Sequence, residues 1–407
     1  MRIKKRLCGT KVPVAAKREF AGESERQGTL ERAITIVAMP FSDLYGNETT
    51  VRQMREMLAR GRFPNSAILA GPQGAGKYTL SLMLARAMNC TGGSSGRAIE
   101  NEGLPDFCGV CNNCRRIASA EDLDARCAEA VEAREGLRET DKRETRILVQ
   151  PHPDVLIVPP DPPQMMIKVD QVRHFNESIR YKPAEARRRV FVFTEAVFMK
   201  EAANALLKIL EEPPEYASIF LLARHPGELL ATIRSRCVTF TLPPLPVSEI
   251  EEYLAKQRPE WPSRQRQLAA RLSGGAIGRA KSLDLAQYVE SRKDALVLLS
   301  TAIRAGDHSE LFRTTEAYRA GGEGKEKTDQ LLGAIYDLLR DIMALNSGAP
   351  DLVRNTDILS ELRSLAAAVD FEWVRRATRQ VGQVQSGMRR NLLRSLSLDA
   401  FEVSIER

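Results

Sequence analysis

A glycine-rich turn that ends in a lysine stands between a short apolar segment and an apolar-periodic helix. The run Gly71-Pro-Gln-Gly74-Ala-Gly76-Lys77 has the G-x-x-x-x-G-K spacing of a phosphate-binding loop. In such loops the glycines allow backbone N–H groups to face the phosphates, and the lysine reaches the outer phosphates. The sequence therefore predicts a nucleotide site with ATP as the candidate ligand, and these residues and Thr79 are candidate contacts.

The residue after the loop lysine departs from that pattern. A serine or threonine normally follows, because its hydroxyl is a ligand of Mg²⁺, whereas here the residue is Tyr78. Thr79 is not expected to replace that ligand, since one helical step turns a side chain by about 100°. The pattern indicates a nucleotide-binding scaffold that has lost one ligand of its catalytic metal, and Tyr78 remains a candidate nucleotide contact.

Four cysteines are spaced like the ligands of a metal ion. Cys108, Cys111 and Cys114 are separated by two residues each, and Cys90 lies at the end of the helix that follows the phosphate-binding loop. Thiolates bind Zn²⁺ in tetrahedral sets, and this spacing lets neighbouring sulfurs converge on one ion. Because four cysteines leave no open coordination position, the predicted zinc is structural rather than catalytic.

Two other interpretations of these cysteines stay open. Iron–sulfur clusters also use such cysteine runs, but the run expected there continues with a cysteine after three more residues and then a proline. Ala118 occupies that cysteine position. Four unrelated thiols are the second alternative.

The bulk composition is that of a globular chain with room for two or three domains. Its 407 residues are 43% hydrophobic and 28% charged, with a net charge of +7. This charge suits a nucleic acid or an acidic protein as partner without proving either, and no apolar run is long enough to span a bilayer. Residues 1–38 are basic and lack the apolar stretch of a secretory signal, so they predict a disordered extension and a cytoplasmic protein. Met39 is an alternative start.

Short apolar runs alternate with helical patterns between about residues 50 and 242. The runs are continuous, as in strands covered on both faces, and the long helical connections favour a parallel sheet. The predicted strands are 67–70, 155–158, 190–194, 219–222 and 238–242. The pattern predicts an α/β nucleotide-binding domain over 39–243, with a zinc module at about 90–116 and a charged, solvated insertion at 115–148.

After the run Pro243-Pro244-Leu245-Pro246 the pattern is helical. Residues 244–285 are predicted to form a small helical lid, and 286–407 an all-α domain that packs against itself or against copies in a ring. One apolar stripe is predicted at Leu331, Ile335, Leu338, Ile342 and Leu345, with further helices around Leu392, Leu396 and Phe401.

Three further short sequence motifs, taken in their order along the chain, indicate a family. His152-Pro153-Asp154 precedes one predicted strand, the run 203–214 follows the next strand, and Ile233-Arg234-Ser235-Arg236-Cys237 precedes the last. With the phosphate-binding loop and the four cysteines, these phrases resemble subunits of the bacterial DNA polymerase III clamp loader, an AAA+ assembly. The resemblance covers residues 40–285 well and the tail by pattern. It implies an AAA+ P-loop domain with an inserted zinc module, a helical lid and an all-α C-terminal collar.

Within this family the chain is more similar to the delta-prime subunit than to the gamma/tau motor subunit. The motor carries an Asp-Glu pair after the third strand, where Asp holds the water shell of Mg²⁺ and Glu polarises the attacking water. Here the pair is Thr194-Glu195, and a neutral hydroxyl does not anchor Mg²⁺ as a carboxylate does. Together with Tyr78, this implies that Mg²⁺-dependent hydrolysis is absent. Nucleotide binding, with Glu195 as a candidate contact, stays open.

The resemblance also gives roles to two arginines. Arg279 stands where the family's second sensor arginine touches a nucleotide, and the alternative is an ordinary surface charge. Arg236 stands where the family's Ser-Arg-Cys arginine points into the neighbouring subunit's ATP site. There it would stabilise charge on the γ-phosphate as an arginine finger. The alternative for Arg236 is a structural arginine that pairs with an acidic residue.

The function implied is that of an ATPase-defective stator that closes one end of a pentameric arc and donates Arg236 in trans. Its implied partners are the gamma/tau and delta subunits, the sliding clamp and primer-template DNA. One rival is an active gamma/tau-like ATPase, which requires hydrolysis despite Tyr78 and Thr194. Another is a zinc-bearing nucleic-acid-binding adaptor, which requires tight, salt-dependent DNA binding by the isolated chain. A small-molecule kinase is disfavoured by the helical tail and the Ser-Arg-Cys phrase.

Overall fold

The computed structural model describes residues 40–92, 99–162, 164–304, 323–388, 400–401 and 404–405. The predicted extension over 1–38, the alternative start Met39 and the helices expected around Leu392 and Leu396 lie outside the described residues. Among the helices that are described, none is both long and apolar enough to cross a membrane.

Six strands form one sheet in the order β4-β5-β6-β7-β1-β8, and β2 and β3 form a separate hairpin. The strands are β1 (Ser66–Ala70), β2 (Ile99–Asn101), β3 (Leu104–Asp106), β4 (Val149–His152), β5 (Val155–Val158), β6 (Arg189–Phe193), β7 (Ala217–Ala223) and β8 (Val238–Thr241). Strands β5, β6, β7, β1 and β8 run parallel to one another. This confirms the predicted α/β sheet.

The edge strand β4 is a correction to the wholly parallel sheet that the sequence predicts. It pairs antiparallel with β5, and its register shifts between Val149 and His152. Its run Val149-Gln-Pro-His152 is short and contains a proline, which lacks a backbone N–H and is confined to edge positions in sheets. No periodic apolar signal marks it, so the sheet is mixed.

The central strand β1 is buried on both faces, as its continuous apolar run predicts. Ala67 and Leu69 belong to the apolar core on one face of the sheet, and Ile68 and Ala70 to the core on the other. The described α-helices between residues 48 and 211 are α1 (Glu48–Ala59), α2 (Lys77–Asn89), α3 (Asn112–Ala118), α4 (Leu123–Glu135), α5 (Glu139–Glu144), α6 (Val169–Ser178) and α7 (Lys200–Glu211). A short helix, α8 (Ala231–Arg234), precedes β8. Helices α1, α2 and α3 contribute to the first core, and α6, α7 and α8 to the second.

The remainder of the described chain is helical. The helices are α9 (Val247–Gln257), α10 (Ser263–Leu272), α11 (Ile277–Ser282), α12 (Leu285–Arg304), α13 (Glu323–Asn346), α14 (Leu359–Ala368) and α15 (Phe371–Met388). Helices α9 to α11 share a small core, and α12 to α15 share a larger one. The predicted stripe on α13 is confirmed, because Leu331, Ile335, Leu338 and Ile342 are fully buried and Leu345 packs against them.

The His152-Pro153-Asp154 motif anchors the loop at 184–186 to the sheet. Asp154 is buried, and its carboxylate accepts hydrogen bonds of 2.8 Å from the backbone N–H groups of Ala184, Glu185 and Ala186. Burial alone would raise the pKa of Asp154, but these three donors lower it below its ordinary value. The phrase is therefore explained by loop anchoring rather than by chemistry.

Asp154→Asn is expected to lower the free energy of unfolding by about 2–4 kcal/mol, because an amide leaves buried N–H groups without their charged acceptor. The pKa of Asp154 is lower in the fold than in the unfolded chain. Its contribution is therefore complete above the unfolded value of about 3.9 and is lost as the pH falls through the folded value. Urea denaturation at neutral pH and at a series of pH values below about 3.9 measures this. Asp170→Asn, at an exposed pair with Arg173, is the control and should change little.

Candidate nucleotide site and cysteine cluster

The phosphate-binding loop leaves the carboxyl end of β1, between the ends of β7 and β8. Gly71 N–H donates to Ala223 O over 3.1 Å, and Leu242 N–H donates to Ala70 O over 2.7 Å. A Cβ atom at Gly71 would lie 2.4 Å from Leu242 O, so this close approach requires glycine. The carboxyl end of a parallel sheet is where such folds bind ligands.

The apex of the loop contacts helix α11. Gly278 N–H donates to Gly74 O over 2.8 Å. Gly74 has a φ of +82°, and a Cβ atom there would lie 2.7 Å from the backbone N of Arg279. The glycine is thus needed both for its backbone conformation and for the contact with the predicted lid.

The loop lysine is hydrogen-bonded within its own loop. Lys77 Nζ donates to Gly71 O over 2.6 Å and to Pro72 O over 2.7 Å. Burial lowers the pKa of Lys77 to about 8, although the carboxylates of Glu228 and Glu195 oppose that shift. Most Lys77 side chains are therefore charged at neutral pH, and a bound phosphate would take the place of these carbonyls as acceptor.

A cavity of about 470 Å³ opens beside the loop, within the size range of small-molecule sites. The predicted contacts that line it are Gly74, Gly76, Lys77, Tyr78, Thr79 and Glu195. Gly71 packs behind the loop, and helix α11 contributes Gly278 and Lys281 to the described lining rather than Arg279. The structure therefore brings six of the eight predicted contacts together.

The cavity is also lined by five charged residues that the sequence does not single out. They are Asp43, Asp124, Arg224, Glu228 and Lys281. Arg224 and Glu228 follow β7, so the rule that ligands gather at the carboxyl ends of strands could have found them. Asp124 lies in the segment 115–148, for which the sequence predicts a charged, solvated insertion without a function. No pattern marks Lys281.

The Tyr78 hydroxyl is engaged with the backbone. The hydroxyl donates to Ala120 O over 2.5 Å, and burial raises its pKa above the ordinary value. A neutral hydroxyl that is engaged with a backbone carbonyl is a poor ligand for Mg²⁺. Tyr78 instead ties the first turn of α2 to the segment after α3.

The residues that follow β6 also reach the cavity. Thr194 N–H donates to Val158 O over 3.2 Å, and Thr194 and Glu195 both line the cavity. Glu195 thus supplies a carboxylate, while the position before it offers only a hydroxyl. The two positions at which the sequence departs from a magnesium site lie in one cavity.

Arg279 points to the all-α part of the chain. Its guanidinium lies 3.8 Å from a carboxylate oxygen of Asp337 on α13, and Arg354 contacts the same carboxylate at 2.7 Å. Burial raises the pKa of Asp337, and the two arginines oppose that shift. Arg279 therefore bridges α11 and α13, and its contact with a nucleotide stays a prediction.

Arg354→Met is expected to lower the free energy of unfolding by about 3–5 kcal/mol, because it leaves the carboxylate of Asp337 buried without its close partner. Arg279→Ala should cost about 1 kcal/mol or less, since the Arg279 side chain is half exposed. Thermal unfolding of both variants measures the difference. Equal decreases in the free energy of unfolding would show that the 3.8 Å contact of Arg279 with Asp337 contributes as much as the 2.7 Å contact of Arg354.

The four predicted metal ligands meet at one point. The sulfur atoms of Cys90, Cys108, Cys111 and Cys114 all lie within 4.8 Å of one another. A tetrahedral zinc with bonds of about 2.3 Å requires sulfurs about 3.8 Å apart, so a small contraction would close the site. The donor set therefore fits Zn²⁺.

Backbone N–H groups already point at the sulfurs. Cys90 Sγ accepts from Gly92 N and Cys108 N, and Cys108 Sγ accepts from Cys111 N, each over 3.3 Å. Such donors stabilise thiolates in metal sites. Burial raises the pKa of the Cys114 thiol, so an incoming metal ion has to displace its proton.

The cysteine cluster is fastened to the sheet domain at several points. Arg55 on α1 is buried and donates to the carbonyls of Asn101, Leu104 and Pro105 in the β2–β3 hairpin. On α2, Asn89 O accepts from Asn113 of α3 over 2.9 Å. The Tyr78 hydroxyl bonds Ala120 O at the other end of α2. Both ends of α2 are therefore hydrogen-bonded to α3 or to the residues just after it.

Arg236 lies at the surface, two residues before β8. Its Nε and Nη2 donate to Glu211 Oε1 over 3.1 and 2.6 Å, and its Nη1 donates to Thr232 O over 2.8 Å. The side chains of Arg236 and Glu211 are 32% and 50% exposed, so this ion pair is worth about 0–1 kcal/mol of stability. The contact to an acidic residue exists, but it stabilises the fold little.

A mainly parallel sheet with a glycine-rich phosphate-binding loop after its first strand, and a cavity at the carboxyl edge, defines the class of P-loop nucleotide-binding proteins. A family model described as "DNA polymerase III, delta subunit" matches residues 46–246. The matches confirm the resemblance drawn from the sequence: the chain belongs to the AAA+ clamp-loader subunits of DNA polymerase III.

Individual relatives divide between two kinds of subunit. The delta' subunit of Bacillus subtilis is 26% identical over 326 residues, which cover 79% of this chain and 85% of that protein. The tau subunit of Escherichia coli K12 is 27% identical over 338 residues, which cover 82% of this chain but 41% of that protein. A solved gamma subunit-related protein of Thermotoga maritima aligns at 16% identity with a TM-score of 0.34, over 88% of this chain and 98% of that one. The chain thus spans about two fifths of the tau protein.

Proposed function

We propose that this chain is a delta-prime-like stator of the bacterial DNA polymerase III clamp loader. In this role it does not hydrolyse ATP at its own site. Arg236 completes the ATP site of a neighbouring gamma/tau subunit, so that the sliding clamp is loaded onto primed DNA. The helical lid over 244–285 and the collar over 286–407 hold the chain among the gamma/tau and delta subunits.

The position of Arg236 in the sheet carries the proposal. β1 and β8 are parallel, with Ala67 opposite Val238 and Ala70 opposite Thr241. The phosphate-binding loop follows β1, whereas Arg236 precedes β8, so the two lie at opposite ends of the sheet. Five residues of extended chain at about 3.3 Å each separate them by roughly 17 Å. Arg236 is therefore too far from its own cavity to contact a nucleotide there, and this supports a role at a nucleotide held by another molecule.

The two residues at the positions of the missing Mg²⁺ ligands support the proposal that the chain does not hydrolyse ATP. The Tyr78 hydroxyl is engaged with Ala120 O, and Thr194 offers no carboxylate. The phosphate side has the residues that a nucleotide would need, because Gly74, Gly76 and Lys77 line the cavity. We therefore propose that the site binds ATP or ADP without turnover, and that Cys90, Cys108, Cys111 and Cys114 hold a structural Zn²⁺.

An active gamma/tau-like ATPase is the second candidate. Glu195 lines the cavity beside Lys77, and tau subunits are among the relatives. This candidate requires that the isolated chain turn over ATP with Mg²⁺ despite Tyr78 and Thr194.

ATP binding and turnover by the purified chain, with Mg²⁺ and with EDTA, separate the two candidates. The same assay is then repeated with gamma/tau and delta subunits, clamp and primed DNA. The stator proposal expects no turnover by the chain alone and an ATPase rate of the complex that depends on Arg236. Mg²⁺-dependent hydrolysis by the chain alone would overturn it in favour of the second candidate.

A further inference from the structure

The guanidinium of Arg236 is held on its inner side by two elements. Glu211, the last residue of α7, accepts through Oε1 from both Nε and Nη2. Nη1 donates to Thr232 O over 2.8 Å and approaches Ser235 Oγ at 3.4 Å. A long side chain at the surface is thus fixed in one orientation by residues 25 positions apart in the chain.

The geometry of these bonds leaves part of the guanidinium open. An arginine presents one edge made of Nε–H and an Nη–H, and a second edge at its tip made of one N–H from each Nη atom. Glu211 occupies the first edge. Nη2 carries a second N–H on the tip edge, and among the described residues its hydrogen bonds go to Glu211 alone. The second N–H of Nη2 is therefore available to an acceptor from another molecule.

We infer that Glu211 is a positioning residue for Arg236. It holds the first edge of the guanidinium so that the tip edge is presented to the terminal phosphate of a nucleotide bound by the neighbouring subunit. This inference rests on the proposed function, because it assumes that Arg236 acts in trans. It assigns to the first glutamate of the Leu210-Glu211-Glu212-Pro213 run a role in the reaction of another subunit.

Preorganisation is the physical reason. A group that stabilises a transition state has to sit within about 0.5 Å of the productive geometry, and a misplacement of about 1 Å can cost 100-fold in rate. Without Glu211, the four-torsion side chain of Arg236 would sample many rotamers, and the correct one would have to be found in each cycle. An interaction of this kind acts in the transition state and changes kcat rather than KM.

The test uses the reconstituted complex with gamma/tau and delta subunits, clamp and primed DNA. The Ser-Arg-Cys arginines of the gamma/tau subunits are replaced in this complex, so that Arg236 is the single finger and hydrolysis at the other sites does not mask its effect. Glu211→Ala is expected to lower kcat for ATP by about ten-fold with KM unchanged. Glu211→Gln retains an oxygen that accepts from Nε and Nη2, so it should stay within about three-fold of the wild type. Glu212→Ala, at the exposed neighbouring residue that does not bond Arg236, is the matched control and should behave as wild type.

A double-mutant cycle separates this inference from the proposed function. If Glu211 acts through Arg236, then Arg236→Ala combined with Glu211→Ala should be no slower than Arg236→Ala alone. A normal rate in Arg236→Ala would overturn the in-trans role itself. A slow Arg236→Ala with a normal or faster Glu211→Ala would leave that role in place and overturn the positioning role of Glu211. Assembly of each complex is checked by sedimentation.

Discussion

Replacing Arg236 by alanine is expected to slow ATP hydrolysis at the neighbouring subunit's site by a factor of about 10³ or more. Arginine fingers supply about 10³–10⁵ in rate in well-studied GTPases, because the guanidinium stabilises charge that builds on the transferred phosphate. The loss should appear in kcat, since the finger acts in the transition state. KM for ATP, assembly and clamp binding should be unchanged.

The measured size of the effect depends on how many sites contribute. In a pentameric arc only one ATP site would face Arg236. Hydrolysis at the other ATP sites would mask the decrease in rate at that one. The experiment therefore uses motor subunits in which the Ser-Arg-Cys arginine has been replaced, so that Arg236 is the single arginine finger of the complex. Single-turnover hydrolysis then shows the full decrease in rate that Arg236→Ala causes. Without this step, a modest fall in the bulk rate is the expected result.

Two variants test the chemical nature of the effect. Arg236→Lys keeps the charge but loses the planar two-pronged donor, so most of the rate should be lost. Arg234→Ala removes an exposed arginine at the end of α8, two residues before Arg236, and is the matched control. Because the Arg236–Glu211 pair is half exposed, Arg236→Ala should change stability by about 1 kcal/mol or less. A wild-type rate in Arg236→Ala, with a normal complex, would remove the basis of the stator proposal.

The sequence predicts those parts of the fold that depend on local pattern. The continuous apolar runs locate the five parallel strands to within two residues at each end, because strands covered on both faces carry few polar residues. The edge strand β8 is located in the same way, but the expectation that both of its faces are covered is wrong, since three of its four residues are exposed. The stripe on α13 is equally visible. The edge strand β4 and the β2–β3 hairpin are missed, since both are three or four residues long and neither carries an apolar alternation.

The candidate site is predictable where backbone geometry dictates the residue type. Gly74 is required by its positive φ and by the contact with α11, and the cysteine spacing is required by convergence on one point. Lys281, Asp124 and the Tyr78 contact with Ala120 come from tertiary packing between distant segments, which leaves no local pattern. The direction of Arg279 toward Asp337 likewise depends on where α13 lies.

Removing the metal from the cysteine cluster is expected to destabilise the sheet domain as well as the cluster itself. Structural zinc sites contribute apparent binding free energies of about 10–16 kcal/mol in small zinc peptides. Here Arg55 also holds the β2–β3 hairpin through three backbone carbonyls, so only part of that energy is expected to be coupled to folding. A loss of about 3–5 kcal/mol would lower the melting temperature by roughly 10 °C for a domain of this size.

The coupling runs through helix α2. Its first turn bears Lys77 and Tyr78, and it ends next to Cys90, so disorder at the cluster frees both attachments of the helix. Zinc chelation should therefore raise hydrogen exchange at the phosphate-binding loop, not only around Cys108.

Cys111→Ser and chelation by a high-affinity zinc ligand should give the same result. Zinc analysis is expected to find one ion in the wild type and none in Cys111→Ser, whose melting temperature should fall by the amount given above. Cys127→Ala removes a thiol outside the cluster and should keep both the metal and the stability. If the wild type contains no zinc, or if chelation leaves exchange in α2 unchanged, then the cluster does not brace the phosphate-binding loop. The contact of Tyr78 with Ala120 would then have to hold the loop without help from a metal.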